Sequence, residues 1–103
     1  MNCTKSSSNN AINFSLTAGR YIVFYGGGGN NYPINTPSFS GYSSIGNLYS
    51  SNASGVSSGE YIGGQVILKE VVLVQSGTLT ITPNMFWGAL TNMTTFAACI
   101  IKL

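Results

Sequence analysis

The sequence of 103 residues contains no histidine and no aspartate, and only 6% of its residues are charged. About a quarter is usual for a globular domain. The charged residues give a formal net charge of +2 and are Lys5, Arg20, Lys69, Lys102, Glu60 and Glu70. Because four scattered cations form no basic stripe, nucleic acid is not an expected partner.

The same absences exclude most catalytic and cofactor chemistry. General acid–base catalysis would depend on Glu60 and Glu70 alone, since the chain has no imidazole. The two carboxylates could formally make a glycosidase pair. Their positions instead favour an ion pair of Glu70 with the neighbouring Lys69, and a solvated loop charge at Glu60. A serine or cysteine nucleophile would lack its histidine base, and two distant thiols do not make a metal site. The sequence predicts a protein that is not an enzyme and has no cofactor.

Neither an export signal nor a membrane-spanning segment is visible. The N-terminal segment MNCTKSSSNN lacks the apolar region of a secretory signal. No apolar run reaches the roughly 20 residues that a membrane-spanning helix needs. We therefore expect synthesis in a cytoplasm without a signal peptide, no membrane insertion, and a final location in a virion or another extracellular assembly.

The two cysteines, Cys3 and Cys99, lie near opposite ends of the chain. One alternative is a reduced thiol at Cys99, buried in an apolar stretch. The other is a disulfide that ties the N-terminal arm to the last strand. Cytoplasmic synthesis favours the reduced thiols.

Hydrophobic patterning divides the chain into a polar arm, residues 1–10, and one domain, residues 11–103. Within that domain, β-rich segments predict strands near residues 11–16, 20–25 and 65–74. Residues 78–82 are expected to be the hairpin partner of 65–74. Residues 94–103 are expected to close the fold as a strand in the middle of a sheet, buried on both faces.

Short strands separated by turns, with no helical period, predict an all-β fold: an antiparallel β-sandwich of jelly-roll character. The predicted core comprises Phe14, Leu16, Ile22, Phe24, Val66, Leu68, Val72, Val74, Leu79, Ile81, Phe96, Ala98 and Ile100.

Residues 26–64 are predicted to form a long irregular excursion rich in Gly, Ser, Asn and Tyr. Tyrosine interleaved with asparagine and serine suits ligand recognition, as in antibody-like binding surfaces, and also suits a subunit interface. A tryptophan at position 87 favours core or interface packing over a sugar platform. The candidate recognition or interface residues are Tyr32, Phe39, Tyr42, Tyr49, Tyr61 and Trp87.

One segment, FSLTAGRYIVFYGGGG at residues 14–29, resembles a pattern found in phage tail-fibre and related glycine-rich β-domains. The later segments 59–68 and 77–81 are similar to the return strands of such domains. The turn at residues 18–21 and the apolar final strand also resemble trimeric heads of the TNF/C1q-like jelly-roll type. The resemblance implies a trimeric jelly-roll architecture and identifies no functional residue.

These observations together favour a structural protein of a virus or phage assembly, as an appendage head or a surface-decorating subunit. So few charges suit a subunit whose surface is covered by copies of itself. Its expected partners are itself, as a homo-oligomer and preferably a trimer, and other assembly proteins. Residues 26–64 would face a cell-surface glycan or receptor. Two alternatives are a self-polymerising filament or lattice subunit that donates its N-terminal strand, and a small carbohydrate-binding lectin.

Overall fold

The computed structural model describes residues 1–7, 11–30, 34–57, 60–85 and 95–103. All strand pairings are antiparallel, and the described residues contain no helix. The prediction of an all-β fold is confirmed. The strands are β1 (Asn2–Ser7), β2 (Ile12–Leu16), β3 (Gly19–Asn30), β4 (Ile34–Ser40), β5 (Ser44–Ser57), β6 (Glu60–Leu73), β7 (Gly77–Met85) and β8 (Thr95–Lys102).

The strands form two sheets with a nested pairing pattern. The five-stranded sheet has the order β1-β8-β3-β6-β5, and the three-stranded sheet has the order β2-β7-β4. The first strand pairs with the last, the second with the seventh and the third with the sixth. As predicted, the closing strand β8 lies inside a sheet, between β1 and β3. The predicted hairpin of residues 65–74 with 78–82 is wrong, because β6 and β7 belong to different sheets.

The buried hydrophobic residues that the structure describes form one cluster between the two sheets. In a strand, alternate side chains face opposite sides, and the buried residues follow that alternation. The core residues are Ile12, Phe14, Tyr21, Val23, Tyr25, Ile67, Val71, Leu73, Leu79, Ile81, Phe96, Ala98 and Ile100. Leu16, Phe39 and Ile45 pack against this cluster from its margins.

The predicted core is correct in β7 and β8 and wrong in β3 and β6. In β2 it is correct at Phe14, whereas Leu16 lies at the margin and the buried Ile12 was not predicted. The buried face of β3 carries Tyr21 and Val23, and that of β6 carries Ile67 and Val71. The prediction placed the residues of the opposite face in the core. The residues wrongly assigned to the core are Ile22, Phe24, Val66, Leu68, Val72 and Val74. Both faces of these strands are apolar, so alternation could not show which face points inward.

Strand β8 was also expected to be buried on both faces, and only one face is. Phe96, Ala98 and Ile100 are buried against the core. The opposite side carries Ala97 and Cys99, which are partly exposed, and Ile101, which is exposed.

The prediction of a long irregular excursion over residues 26–64 is wrong, because its described residues are regular β-structure apart from the turn at residues 41–43. Strand β3 continues through the glycine run to residue 30, and β4, β5 and the start of β6 fill most of the rest. A run of Ser, Asn and Gly has low intrinsic β-propensity, but pairing with apolar neighbours overrides it. Both β4 and β5 also contain a register shift, which breaks the alternation that would have revealed them.

The N-terminal segment is part of the five-stranded sheet. Residues 2–7 pair along β8, and Cys3 lies opposite Cys99 and forms a disulfide with it. The expectation of reduced thiols is therefore wrong. Directly opposed residues of antiparallel strands share one face and lie close together, which brings the two sulfur atoms within bonding reach.

One turn position requires glycine. Gly41, between β4 and β5, has φ of +88°, and a Cβ there would overlap the carbonyl of Thr78. Glycine adopts this backbone region without the steric penalty that other residues incur.

Across the described segments, no helix of the length and apolarity needed to cross a membrane is found.

Candidate functional site

A cleft of about 340 Å³ opens on the inner side of the five-stranded sheet, beside the edge strand β4. Three strands cannot cover the inner faces of five, and the sheet is left uncovered where β5 forms its margin. There Asn47 and Ser50 are exposed although their strand partners face the sheet interior. The cleft is lined by Thr36, Asn47, Ser50, Ser51, Gln65, Ile67 and Lys69.

Two β-bulges shape the rim of this cleft. In β5 the register shifts between Asn47 and Tyr49, so that Leu48 is the additional residue. In β4 it shifts between Asn35 and Ser38, around Thr36 and the buried Pro37. A bulge redirects side chains and is common beside binding sites. Proline fits at an edge-strand bulge because it has no N–H to donate to the ladder.

The β5 bulge places Asn47 and Ser50 on the same side of the strand. Asn47 pairs with Lys69, and Ser50 pairs with Ile67 of the core. Without the additional residue, side chains three positions apart would point to opposite faces. Both polar side chains therefore face the cleft as a consequence of the bulge.

The cationic group of the cleft is supported by aromatic rings. The Lys69 ammonium nitrogen lies 5.7 Å from the centroid of the Phe39 ring. Phe39 in turn makes an edge-to-face contact with Tyr25, with 6.5 Å between ring centroids. Tyr25 stacks on Phe96 at 5.9 Å inside the core. This chain of contacts holds the cation against a rigid apolar support.

The cleft also contains a buried polar residue, Gln65, which is 5% exposed. It pairs with Gly27 of β3 and Asn52 of β5. A side chain at position 27 would overlap the Phe96 ring. Glycine at position 27 therefore allows Phe96 to pack deep in the core beside the cleft.

A second candidate surface is the outer side of the five-stranded sheet, which we call the outer apolar face. Its central row contains the Cys3–Cys99 disulfide, Phe24, Leu68 and Tyr49, which lie opposite one another in successive strands. The solvated face of an antiparallel sheet is normally polar. The remaining apolar members of this face are Ile22, Val66, Val72, Ala97 and Ile101.

Charges lie among the apolar residues of this face. Arg20 donates to Glu70 at 3.0 Å, and both side chains are partly exposed. Lys5 lies opposite Ala97 at the β1 edge. The outer apolar face thus has both signs of charge, with one close pair of opposite sign.

The predicted recognition residues whose side chains the structure describes do not converge on one site. Phe39 lies between the cleft and the core, Tyr42 lies in the exposed turn after β4, and Tyr49 is exposed on the outer apolar face. Tyr61 is in β6, and its side chain is not described. Tyr32 and Trp87 lie outside the described residues.

The sequence prediction missed the polar residues of the cleft. Thr36, Asn47 and Lys69 come from three strands, and none carries a recognisable motif. Pro37 within a polar, otherwise strand-like segment was the available signal for one of the bulges. The described part of the chain contains no group of three or more His, Cys, Asp or Glu residues arranged for a metal ion.

Comparison of the chain with protein-family models, with curated proteins and with solved structures found no match.

Proposed function

We propose that this protein is a non-enzymatic structural subunit that associates with copies of itself through the outer apolar face. The observation that carries the proposal is the exposure of Phe24, Val66 and Tyr49 side by side in one sheet. Monomeric soluble proteins rarely expose a large contiguous apolar patch, and such a patch is typical of an interaction surface. The lack of histidine and aspartate in the sequence supports a non-catalytic role.

The size of the face suits a protein partner. Five strands about 4.8 Å apart and about nine residues at about 3.3 Å each give a surface of roughly 24 by 30 Å, before side-chain relief is counted. A standard interface buries about 800 Å² on each partner. The outer apolar face is thus of the order needed for a specific contact.

Its charges favour a second copy as the occupant. In an isologous contact, Arg20 of one copy can approach Glu70 of the other, so that the Arg20–Glu70 pair is self-complementary. A net charge of only +2 adds little repulsion between copies.

The nested strand pairing supports a jelly roll as the architecture of the subunit. Such folds have eight strands in two sheets. Here strands one to three pair with eight to six in reverse order, as if one long hairpin had been rolled up. The setting we propose, an appendage head or surface-decorating subunit of a virus or phage assembly, depends on the sequence resemblance described above.

Copy number depends on how the face is used. A contact between two identical outer apolar faces closes a dimer, whereas the trimer implied by the resemblance needs this face to meet a different surface of the next subunit. The filament alternative, in which β1 is donated to a neighbour, is less favoured because β1 pairs with β8 of its own chain and is joined to it by the disulfide.

A matched pair of lysine substitutions tests the proposal. Val66→Lys places a charge in the outer apolar face, opposite Gly26 and Ser51, where its stem has room. Thr82→Lys places the same charge on the exposed face of the three-stranded sheet, opposite Ser38. We expect light scattering to give an oligomer mass for the natural chain and for Thr82→Lys, and the 10.8 kDa of one chain for Val66→Lys. Equal masses for the two variants would contradict the proposal.

A further inference from the structure

We propose that the cleft between β4, β5 and β6 binds a saccharide that carries a carboxylate. This inference is independent of self-association, because the cleft opens on the inner side of the five-stranded sheet and the outer apolar face lies on the other side. The tyrosines considered for sugar binding at the sequence level, Tyr42 and Tyr49, do not line the cleft.

The neutral lining suits a ligand rich in hydroxyl groups. Thr36 and Ser50 have hydroxyls that both donate and accept, and the Asn47 amide does the same with separate atoms. A sugar ring presents hydroxyls that also donate and accept. Thr36 lies on the bulged strand β4, and Asn47 and Ser50 lie on the bulged strand β5, so both walls of the cleft provide hydrogen-bonding groups.

The cation of the cleft suits a single anionic group. Among the described residues, the Lys69 ammonium makes no hydrogen bond and no ion pair, although it lies over the Phe39 ring. No described carboxylate lines the cleft. The neighbouring Glu70 is on the opposite face of β6, where it pairs with Arg20. Lys69 therefore has donors available for a ligand carboxylate.

A second lysine of the chain provides an internal comparison. Lys102 lies over the Tyr21 ring at 5.9 Å, almost the same arrangement as Lys69 over Phe39. Its ammonium, however, donates to the Thr17 hydroxyl at 2.9 Å. Loss of Lys102 removes the same charge and the same kind of cation–π contact without touching the cleft.

The size of the cleft limits the ligand. At about 340 Å³ it lies at the lower end of the range for small-molecule sites. A small sugar unit suits it better than a peptide strand or a helix. Ile67, a residue of the core, is an apolar member of the lining.

The test is a titration of the ¹⁵N-labelled full chain with methyl glucuronide and with methyl glucoside, followed by NMR. The two probes differ only at C6, which is a carboxylate in the glucuronide and a hydroxymethyl group in the glucoside. We expect shifts at the backbone amides of Asn47, Ser50 and Lys69, and an affinity for the glucuronide about tenfold higher than for the glucoside. Lys69→Met should abolish that tenfold preference, whereas Lys102→Met, which lies outside the cleft, should preserve it.

Three results would overturn the inference. They are no shifts at the cleft with either probe, equal affinity for the two probes, and equal loss of preference in the two lysine variants. If Lys69→Met does not fold, as judged by its amide spectrum, Asn47→Ala takes its place. That variant changes an exposed side chain and should weaken the binding of both probes by a similar factor.

Discussion

The outer faces of the two sheets differ in chemistry although the sheets share one core. The three-stranded sheet presents threonine, serine and asparagine, and Thr80 donates to Asn13 across two of its strands at 2.8 Å. The five-stranded sheet presents Phe24, Val66 and Ile101. The first face has the polar composition of a solvated antiparallel sheet, and the second has the composition of a covered one. This difference is the reason why we propose the five-stranded sheet as the interface.

The first prediction concerns the disulfide, which lies on the outer apolar face and has no counterpart in the described part of the other sheet. Its two cysteines are separated by 96 positions. Closing a loop of this length restricts the unfolded chain strongly, so that removal should lower the free energy of unfolding by about 4 kcal/mol. Urea denaturation of the natural chain with and without a reductant measures this loss.

The control for this experiment is the double variant Cys3→Ser, Cys99→Ser. Its unfolding midpoint should already be low and should not respond to reductant. A natural chain whose midpoint is also insensitive to reductant would show that the disulfide does not contribute in solution.

The second prediction compares the two faces of a single strand. Val71 and Val66 both lie in β6, but Val71 is 0% exposed and Val66 is 51% exposed. Val71→Ala leaves a cavity in the core and should destabilise the fold by about 2 kcal/mol. Val66→Ala should change the stability of the dissociated chain by less than about 0.5 kcal/mol. Denaturation at a protein concentration low enough to dissociate the oligomer measures both changes in stability. A larger effect at Val66 would reverse the assignment of faces.

The third prediction concerns two core tyrosines of β3. Burial raises the pKa of the Tyr25 hydroxyl well above its ordinary value of 10.0, and this hydroxyl has no hydrogen-bond partner among the described residues. The Tyr21 hydroxyl donates to the Thr17 carbonyl at 2.7 Å. Tyr25→Phe should therefore leave the stability at neutral pH unchanged or slightly higher, whereas Tyr21→Phe should lower it by about 1 kcal/mol.

Alkaline pH provides a separate test of the burial of Tyr25. A group whose pKa is higher in the folded state contributes stability that is complete below its unfolded pKa. For Tyr25 that contribution is lost progressively as the pH rises above 10.0. Thermal unfolding from pH 8 to 11 should show this decline in the natural chain and a shallower one in Tyr25→Phe. Identical alkaline profiles would contradict the burial of Tyr25.

The sequence predicted the strands whose two faces differ. In β2 and β7, Ile12, Phe14, Leu79 and Ile81 alternate with polar residues. Both strands were predicted, and so were their buried residues except Ile12. In β3 and β6 the strands were predicted but their inward faces were reversed. A strand with an apolar residue at almost every position shows no alternation of apolar and polar residues. Only its pairing and packing in three dimensions decide which face points inward. The outer apolar face was hidden within the predicted core for this reason.

The cleft could not be predicted because its residues meet through long-range pairing and two bulges. Asn47 and Lys69 become neighbours only when β5 pairs with β6, and Thr36 reaches them across the gap between the sheets. Bulges interrupt the alternation on which a strand prediction depends. Of the aromatic candidates, Phe39, Tyr42 and Tyr49 lie on different surfaces, and polar residues that follow no motif line the cleft.

The measurement that tests the central claim most directly is the solution mass of the natural chain, by light scattering on a sizing column, repeated after dilution. Association through the outer apolar face predicts a discrete oligomer that dissociates on dilution to the 10.8 kDa of one chain. A chain that remains monomeric at the highest attainable concentration would contradict the account.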